Sequence, residues 1–489
     1  MLDSYLPLIV VLVPLIASGL IVICSRLPNL REGWTILASL LMFGMTFSML
    51  PDVISGNYPA VTLFELSPGA ALALKVDPLG IIFAISASFL WIITSFYSIG
   101  YVRSLGLHHQ TRYFTSFAVC LGATMGLAFS ANLLTFLIFY ELLTIAAYPL
   151  VIHEETPEAM GAGRKYLAYL LTGGLLLTAA VAATYIWTGD LSFAPGGFLD
   201  ATLGQGKLIV IATLFAVGLG FKAALMPLHS WLPTAMVAPT PVSGLLHAVA
   251  VVKAGVFGFF RIIGFVFGPT LFHDIGAGTI LGIVCGVTII LASLLAFRQD
   301  KIKRRLAYST IAHLACMVLG AVLLAPEGWL GGSLEIVFHA MSKITLFLCA
   351  GAIMASTGID RISDMNGLGH RMPVTMGAFT IGVLSLSGLP PLAGFVSKWF
   401  LGAGMVLDGE PVLLAIFLIS HLLSVGYFAP MVYRSFFLPS THPGKFSEAS
   451  LLMVVPLSLT AILSALLGLA PDLIFNFYTL ATEIIAGVF

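Results

Sequence analysis

Two lysines stand near the middle of apolar stretches that are each long enough to cross a lipid bilayer. Lys222 lies in the stretch that begins near Leu208, and Lys253 lies in the next one, which ends near Ile263. A lysine at the centre of a membrane-spanning helix costs roughly 3 kcal/mol on insertion scales, so such residues usually serve ion or proton transport. The two lysines therefore predict an ion-translocating membrane protein in which they carry protons.

Three further charged residues, Lys343, Lys398 and Glu141, also fall inside apolar stretches. Four lysines cannot all pair with one glutamate, so some of the amines must be neutral part of the time. Loss of hydration favours the neutral amine, and a nearby carboxylate favours the charged one. A lysine held between these influences can gain and lose a proton near neutral pH. The alternative is that each buried charge pairs only to hold two helices together.

Several histidines lie close to these lysines in the sequence, and histidine titrates near neutrality. His339 and Lys343 are four residues apart, which places them on one face of a helix. Lys253 follows His247 by six residues, so these two do not share a face. A single histidine on a helix can equally be a structural hydrogen-bonding group. The remaining candidates for relay or channel lining are His229, His247 and His313, with His421 either structural or channel-lining.

The composition excludes several classes of function. Of the 489 residues, 59% are hydrophobic and only 9% are charged, whereas soluble domains carry about 25% charged residues. The net charge of +0 offers no electrostatic footprint for nucleic acid. The 5 cysteines are scattered without a CxxC pair, so there is no signature of a metal site, an iron–sulfur cluster or a disulfide framework. We expect a polytopic membrane protein without a cofactor or a catalytic centre of its own.

A membrane-spanning helix needs about 20 mostly apolar residues. Fourteen windows of this kind predict an all-α protein of about fourteen spans, of which the second is short and the twelfth is too long for one straight helix. A last apolar piece, 473–489, is too short to span and is expected at the interface. The windows are 5–25, 34–50, 79–102, 113–130, 131–152, 166–187, 208–226, 242–264, 277–297, 304–325, 332–356, 372–404, 411–433 and 451–470.

Prolines interrupt the seventh and twelfth windows next to lysines. Pro227 and Pro233 follow Lys222, and the pair Pro390–Pro391 precedes Lys398. Irregular backbone at membrane depth is tolerated where it is buried in protein or lines a water-filled cavity. Two broken spans, five helices apart, predict two five-helix repeats within one membrane domain. Because five is odd, the second repeat must enter the membrane from the opposite side. The segments are 1–112, the repeats 113–264 (spans 4–8) and 277–435 (spans 9–13), and the final span and tail 451–489.

The loop charges predict the orientation. Loops after odd-numbered spans hold 15 of the 22 lysines and arginines, and the opposite side holds 3. Basic residues stay on the cytoplasmic side of a membrane. We therefore expect both termini on the outer side of the cell inner (cytoplasmic) membrane.

Five segments resemble one known superfamily, the antiporter-like subunits of respiratory complex I, membrane-bound hydrogenases and Mrp-type Na⁺/H⁺ antiporters. They are FYELLTIAAYPLV, GFKAALMPLHSWLPTAMVAPTPVSGLLHAVAVVKAGVFGFFRI, RQDKIKRRLAYSTIAH, FHAMSKITLFLCAGA and LSLSGLPPLAGFVSKW. They lie within about residues 100–405, and the block from HSWLP to VKAG is highly specific. The resemblance implies fourteen spans with broken seventh and twelfth helices, in agreement with the windows above.

The resemblance also implies a role for each buried charge. Glu141 would modulate Lys222, the lysine on the input side, and Lys253 would be the central relay. His339 and Lys343 would lead toward the second repeat. Lys398 would be the residue on the exit side.

Two residues, Lys398 and His247, indicate different subclasses of this superfamily. Lysine at position 398 resembles the D-type subunit of Mrp antiporters or the second type of complex I subunit, whereas His247 resembles the largest complex I subunit, whose long lateral helix this chain lacks. The resemblance therefore implies a proton-translocating subunit of a multi-subunit Na⁺/H⁺ antiporter. The alternative is a proton-pumping subunit of a complex I-like NADH-quinone oxidoreductase or a membrane-bound hydrogenase. Either would have other membrane subunits as partners, and a self-contained solute carrier is the hypothesis from a different class.

Overall fold

The computed structural model of the protein describes residues 2–440 and 447–489, except for the side chains of residues 2–4, 246 and 247. The side chain of His247, one of the relay candidates, therefore lies outside the described part. The described chain is mostly helical, which confirms the predicted all-α class.

The chain begins with four helices, α1 Leu2–Ile23, α2 Pro28–Ser48, α3 Leu50–Ile54 and α4 Pro78–Leu105. The next seven are α5 Gln110–Ala128, α6 Leu133–Val151, α7 Pro157–Thr188, α8 Gln205–Lys222, α9 Trp231–Thr234, α10 Thr240–Ala248 and α11 Val251–Ile262. They are followed by α12 Pro269–Asp274, α13 Ala277–Phe297, α14 Ile302–Val322, α15 Pro326–Thr357, α16 Leu368–Arg371, α17 Pro373–Leu386, α18 Ala393–Leu407 and α19 Pro411–Phe437. The last two are α20 Leu451–Leu469 and α21 Phe477–Val488.

Each of the fourteen predicted windows contains a helix or a pair of helices. Within the described ranges, 11 helices are long and apolar enough to cross a membrane by length and composition. The other three windows hold α5 and the broken pairs α10–α11 and α17–α18. The polytopic character is thus clear, whereas the count of fourteen spans and the division into inverted repeats stay predictions.

Two further segments, the connection after the second span and the last apolar piece, form regular structure. The connection after the second span contains an antiparallel hairpin of β1 Ala60–Ser67 and β2 Ala70–Lys75. Its backbone bonds continue to the α5–α6 connection, where the Ala131 N–H donates to the Ala73 carbonyl, so pairing across the chain gives this segment its structure. The 12-residue helix α21 buries one face against α4 and α15. It is as short as expected, since 12 residues rise only about 18 Å.

The predicted helix breaks are present next to the two lysines. Helix α8 ends at Lys222, and the chain then passes through Ala224 at φ 55° and a cis bond before Pro227. The second break separates α17 from α18 and contains the cis Pro390–Pro391 bond. Proline cannot donate the backbone bond that continues a helix, which explains both endings.

A third break was not expected, because no proline or glycine marks it. Helix α10 ends at Ala248, and α11 begins at Val251, shortly before Lys253. Helix α11 also lies very close to the end of α8. A Cβ on Gly255 would lie 2.4 Å from the backbone nitrogen of Ala223, so only glycine permits this approach. The glycine brings the helix of Lys253 against the break that follows Lys222.

Helix α15 is the central helix of the second half of the molecule. All of its most apolar 18-residue window is buried inside the protein, and it packs against α14, α17, α18, α20, α10 and α4. Glu335, His339 and Lys343 all lie on this helix. Any polar group on α15 must therefore find its partners inside the protein rather than in lipid or water.

Arg261, near the end of α11, is a buried ion-pair partner. Only 1% of its side chain is exposed, and its guanidinium donates to both carboxylate oxygens of Asp77, including an Nη2–Oδ1 bond of 2.7 Å. Asp77 also caps α4 by accepting a 2.7 Å bond from the backbone N–H of Gly80. The pair thus connects the beginning of α4 to the end of α11.

We expect Asp77→Asn to lower the free energy of unfolding by about 3 kcal/mol, because removing one partner of a buried ion pair leaves the other uncompensated. The expected value is at the lower end of the usual range because the Asp77 side chain is 14% exposed. Thermal unfolding of the detergent-solubilised protein measures the effect, with Asp52→Asn on the exposed side of α3 as the matched control. Equal unfolding temperatures for the two variants would contradict the prediction.

Candidate proton-relay site

Lys222 is completely buried at the end of α8 and points toward α6. Its ammonium Nζ donates to the backbone carbonyl of Tyr140 over 2.6 Å and lies 3.3 Å from the centroid of the Tyr140 ring. An ammonium placed over an aromatic face is attracted by the ring quadrupole. The proton on this lysine is therefore held by a carbonyl dipole and a ring rather than by a full negative charge.

Glu141 follows Tyr140 on α6, yet its carboxylate is not paired with Lys222. Among the described residues, no oxygen of Glu141 lies within 4.0 Å of the Lys222 Nζ, and the buried Oε1 has no hydrogen-bond partner. The carboxylate rests against α7, where a Cβ on Gly174 would lie only 2.0 Å from Oε1. The two groups that the resemblance couples are neighbours in the structure without an ion pair.

Lys253 is also completely buried, and the two groups that its amine contacts directly are uncharged. Its Nζ donates to the Ile336 carbonyl over 2.9 Å and lies 3.0 Å from the sulfur of Met317. These contacts place the amine of α11 between α14 and α15, beside the charged part of α15. None of the described contacts joins Lys253 directly to Lys222.

His339 and Lys343 both face α14, as their spacing predicted. The His339 ring centroid is 5.1 Å from that of His313, and both ring nitrogens of His339 are buried without a hydrogen-bond partner. Lys343 Nζ donates to the Leu306 carbonyl over 3.1 Å and to the Ser309 hydroxyl. Two predicted relay histidines are therefore in contact, with one lysine a turn away.

The structure adds a carboxylate that the sequence analysis did not use. Glu335 on α15 is 1% exposed, and its Oε1 lies 3.0 Å from His313 Nδ1 and 3.4 Å from Lys398 Nζ. The Ser397 hydroxyl donates to its other oxygen. The signal was present, since residues 335, 339 and 343 follow at four-residue spacing on one helix face. Glu335 joins His313 on α14 to Lys398 on α18.

Lys398 and His421 lie at the far end of this group. Lys398 also donates to the Gly394 carbonyl over 3.2 Å, one turn earlier on α18. The His421 ring centroid is 6.3 Å from that of His313, and its Nδ1 lies 2.7 Å from the Phe417 carbonyl. The structure thus brings His313, His339, His421 and Lys398 together around one carboxylate.

The break after Lys222 and the stretch that follows it line two cavities, as irregular backbone at membrane depth can do. A cavity of about 480 Å³ is bordered by the stretch from Pro233 to Thr240, by Lys301 and Lys303 and by Glu154. A second one, about 310 Å³ and mostly apolar, is bordered by the segment around Pro227. His229 lies between these breaks beside Tyr308, with a ring-centroid distance of 6.2 Å, and contacts none of the relay lysines in the described part.

Comparison with known proteins gives the family. A family model described as NADH:quinone oxidoreductase/Mrp antiporter, TM matches residues 130–424, which is more than half of the chain. The chain is 29% identical over 455 residues to NADH-quinone oxidoreductase subunit N of Desulforudis audaxviator, covering 91% of this chain and 89% of that protein. It is 33% identical over 420 residues to the chloroplastic NAD(P)H-quinone oxidoreductase subunit 5 of Ipomoea purpurea. That match covers 80% of this chain and only 57% of the chloroplast protein.

Solved structures share the fold over the whole chain. A chain of the archaeal membrane-bound sulfane sulfur reductase aligns with a TM-score of 0.89 and 24% identity, covering 99% of both chains. A chain of the Mrp complex from a Dietzia species aligns with a TM-score of 0.87 and 20% identity, covering 100% of this chain and 99% of that one. From the family match, which spans Glu141, the relay lysines and both helix breaks, we conclude that the chain belongs to the NADH:quinone oxidoreductase/Mrp antiporter family of membrane subunits.

Proposed function

We propose that this membrane subunit translocates protons through a relay of buried side chains. The observation that carries the proposal is the convergence of Lys253, Lys343 and Lys398 on the single buried helix α15. A static bundle gains little from burying three amines near one carboxylate, because charges in a dry interior are costly unless paired. Proton exchange between these amines explains the arrangement, because ionisable residues inside a membrane mark proton or ion pathways.

The proposed order runs along the two halves of the molecule. Lys222, modulated by Glu141, receives the proton in the first half, and Lys253 passes it toward α15. His339, His313 and Lys343 form the middle of the path, and Lys398 releases the proton. The cavity of about 480 Å³ beside the first break has room for water, and Lys301 and Lys303 of a basic loop line it. It therefore supports proton entry from the side of the membrane that carries the basic loops.

We further propose that the host is a multi-subunit monovalent cation (Na⁺)/proton antiporter in the cell inner membrane, with both termini on the outer side. Lys398 supports an assignment close to the D-type subunit of the Mrp group, which the sequence resembles at this position. A second candidate is a proton-pumping subunit of a redox complex. The relative named NADH-quinone oxidoreductase subunit N supports it, since its match covers most of both chains.

Purification of the complex through a tag on this chain separates the two hosts. Small membrane subunits alone, together with Na⁺-dependent proton movement in inverted vesicles, are expected for the antiporter. Copurifying iron–sulfur or nickel–iron proteins, with proton movement driven by an electron donor, would assign the chain to a redox pump. Transport of an organic solute by the purified chain alone in liposomes would make both proposals wrong.

A further inference from the structure

We propose that Glu335 is the fixed counter-charge of the second half of the molecule and positions the translocated proton on Lys398. This inference rests on the proposed proton relay and adds a residue and a role to it. Glu335 acts through Lys398 and His313, so it is a positioning residue for the last transfer.

The carboxylate of Glu335 is held from three sides. Its Oε1 faces His313 Nδ1 at 3.0 Å and Lys398 Nζ at 3.4 Å, and the same amine lies 3.5 Å from Oε2. The Ser397 hydroxyl donates to Oε2, which fixes the orientation of the group. A carboxylate whose oxygens are all engaged in a dry interior is stable as an anion. Glu335 can therefore stay charged while protons move past it.

The titratable lysines and histidines around Glu335 come from five helices. They are Lys253 on α11, His313 on α14, His339 and Lys343 on α15, Lys398 on α18 and His421 on α19. Within the described part of the chain, no second carboxylate contacts any of these groups. One negative charge in a dry interior balances one ammonium, so the cluster is neutral when a single one of its three lysines is protonated.

The contacts select which lysine that is. In the described part of the chain, Lys253 and Lys343 reach uncharged groups: carbonyls, a thioether, a hydroxyl and the ring of Phe428. Lys398, in contrast, reaches the carboxylate. Lys398 is also 7% exposed, while the other two lysines are fully buried. Glu335 thus favours a proton on Lys398, which is partly exposed, over a proton on Lys253 or Lys343, which are enclosed.

Glu335→Gln tests this in inverted vesicles that contain the complete complex. We expect an assembled complex in which transport falls by at least about tenfold and the pH optimum moves down by about one to three units, because an opposite charge at this distance changes proton affinity by that amount. Ser333→Ala is the matched control, since this buried hydroxyl on the same helix bonds only to carbonyls of α15. Glu335→Asp keeps the charge and should keep most of the pH profile. A native rate and pH profile in Glu335→Gln would overturn the proposal.

Further variants test the proposal if Glu335→Gln fails to assemble. They also distinguish failure of this inference from failure of the proposed function. If Glu335→Gln does not assemble, the double variant Glu335→Gln/Lys398→Gln should assemble better, since no unpaired buried charge remains. In that case Ser397→Ala, which loosens the carboxylate without removing charge, should move the pH optimum, and an unchanged optimum would overturn the proposal. If Lys253→Ala abolishes transport while Glu335→Gln does not change it, only the role of Glu335 is wrong. If neither affects transport, the relay itself is wrong.

Discussion

Replacing Lys253 with alanine is expected to abolish proton transport while leaving the complex assembled. The amine is fully buried and contacts a carbonyl and a thioether, so no ion pair is broken and no partner charge is left behind. Loss of a group that transfers protons typically lowers a rate by about 10² to 10⁴. Lys222→Ala should behave in the same way, because among the described residues its amine contacts the carbonyl and ring of Tyr140 and no carboxylate.

Native gels report assembly of these variants, and a pH-sensitive dye in inverted vesicles reports transport. Lys207→Ala is the matched control, since that lysine is exposed at the start of α8 and lies over the Trp187 ring, away from the relay residues. The control should transport at the native rate. Transport near that rate in an assembled Lys222→Ala or Lys253→Ala complex would show that these amines are structural.

Replacing Glu141 with glutamine is expected to give an assembled complex that transports very little, with a pH optimum at lower pH. Two unit charges at 4 Å interact by about 4 kcal/mol at an effective dielectric of 20, which corresponds to a change of up to about a thousandfold in proton affinity. In the proposed switch, the amine of Lys222 is held protonated when the carboxylate approaches it, and the proton is released toward Lys253 when the carboxylate withdraws. A glutamine is uncharged in either position, so it cannot alternately hold and release the proton of Lys222.

The structure shows the separated arrangement of this pair, with the carboxylate against Gly174 rather than on Lys222. A permanent salt bridge would predict poor assembly of Glu141→Gln, because the lysine would be left unpaired. Normal transport with an unchanged pH profile would rule the switch out.

Gly174→Ala gives an independent test of the switch. Its Cβ would displace the carboxylate of Glu141, so transport should fall. Gly161→Ala on the same helix is the control, because its Cβ meets no atom within 4 Å and should have no effect.

Features that depend on neighbouring residues were predictable from the sequence. Apolar length defines a span because the bilayer requires about 20 residues per helix, and prolines end helices because they lack the backbone donor. The positions of Lys222 and Lys398 beside broken helices follow from these local rules. The four-residue spacing of His339 and Lys343 likewise placed both side chains toward one neighbouring helix.

Contacts between distant parts of the chain were decided only by the tertiary structure. Glu335 and Lys398 are 63 residues apart and Asp77 and Arg261 are 184 apart, and nothing in their spacing indicates pairing. Whether a buried charge meets a carboxylate or a carbonyl depends on how each helix is rotated and how closely it packs. For the same reason only the structure shows that the carboxylate of Glu141, which the resemblance couples to Lys222, lies against Gly174 on α7. The sequence determined that this protein buries lysines in a membrane, and helix packing determined which of them faces a negative charge.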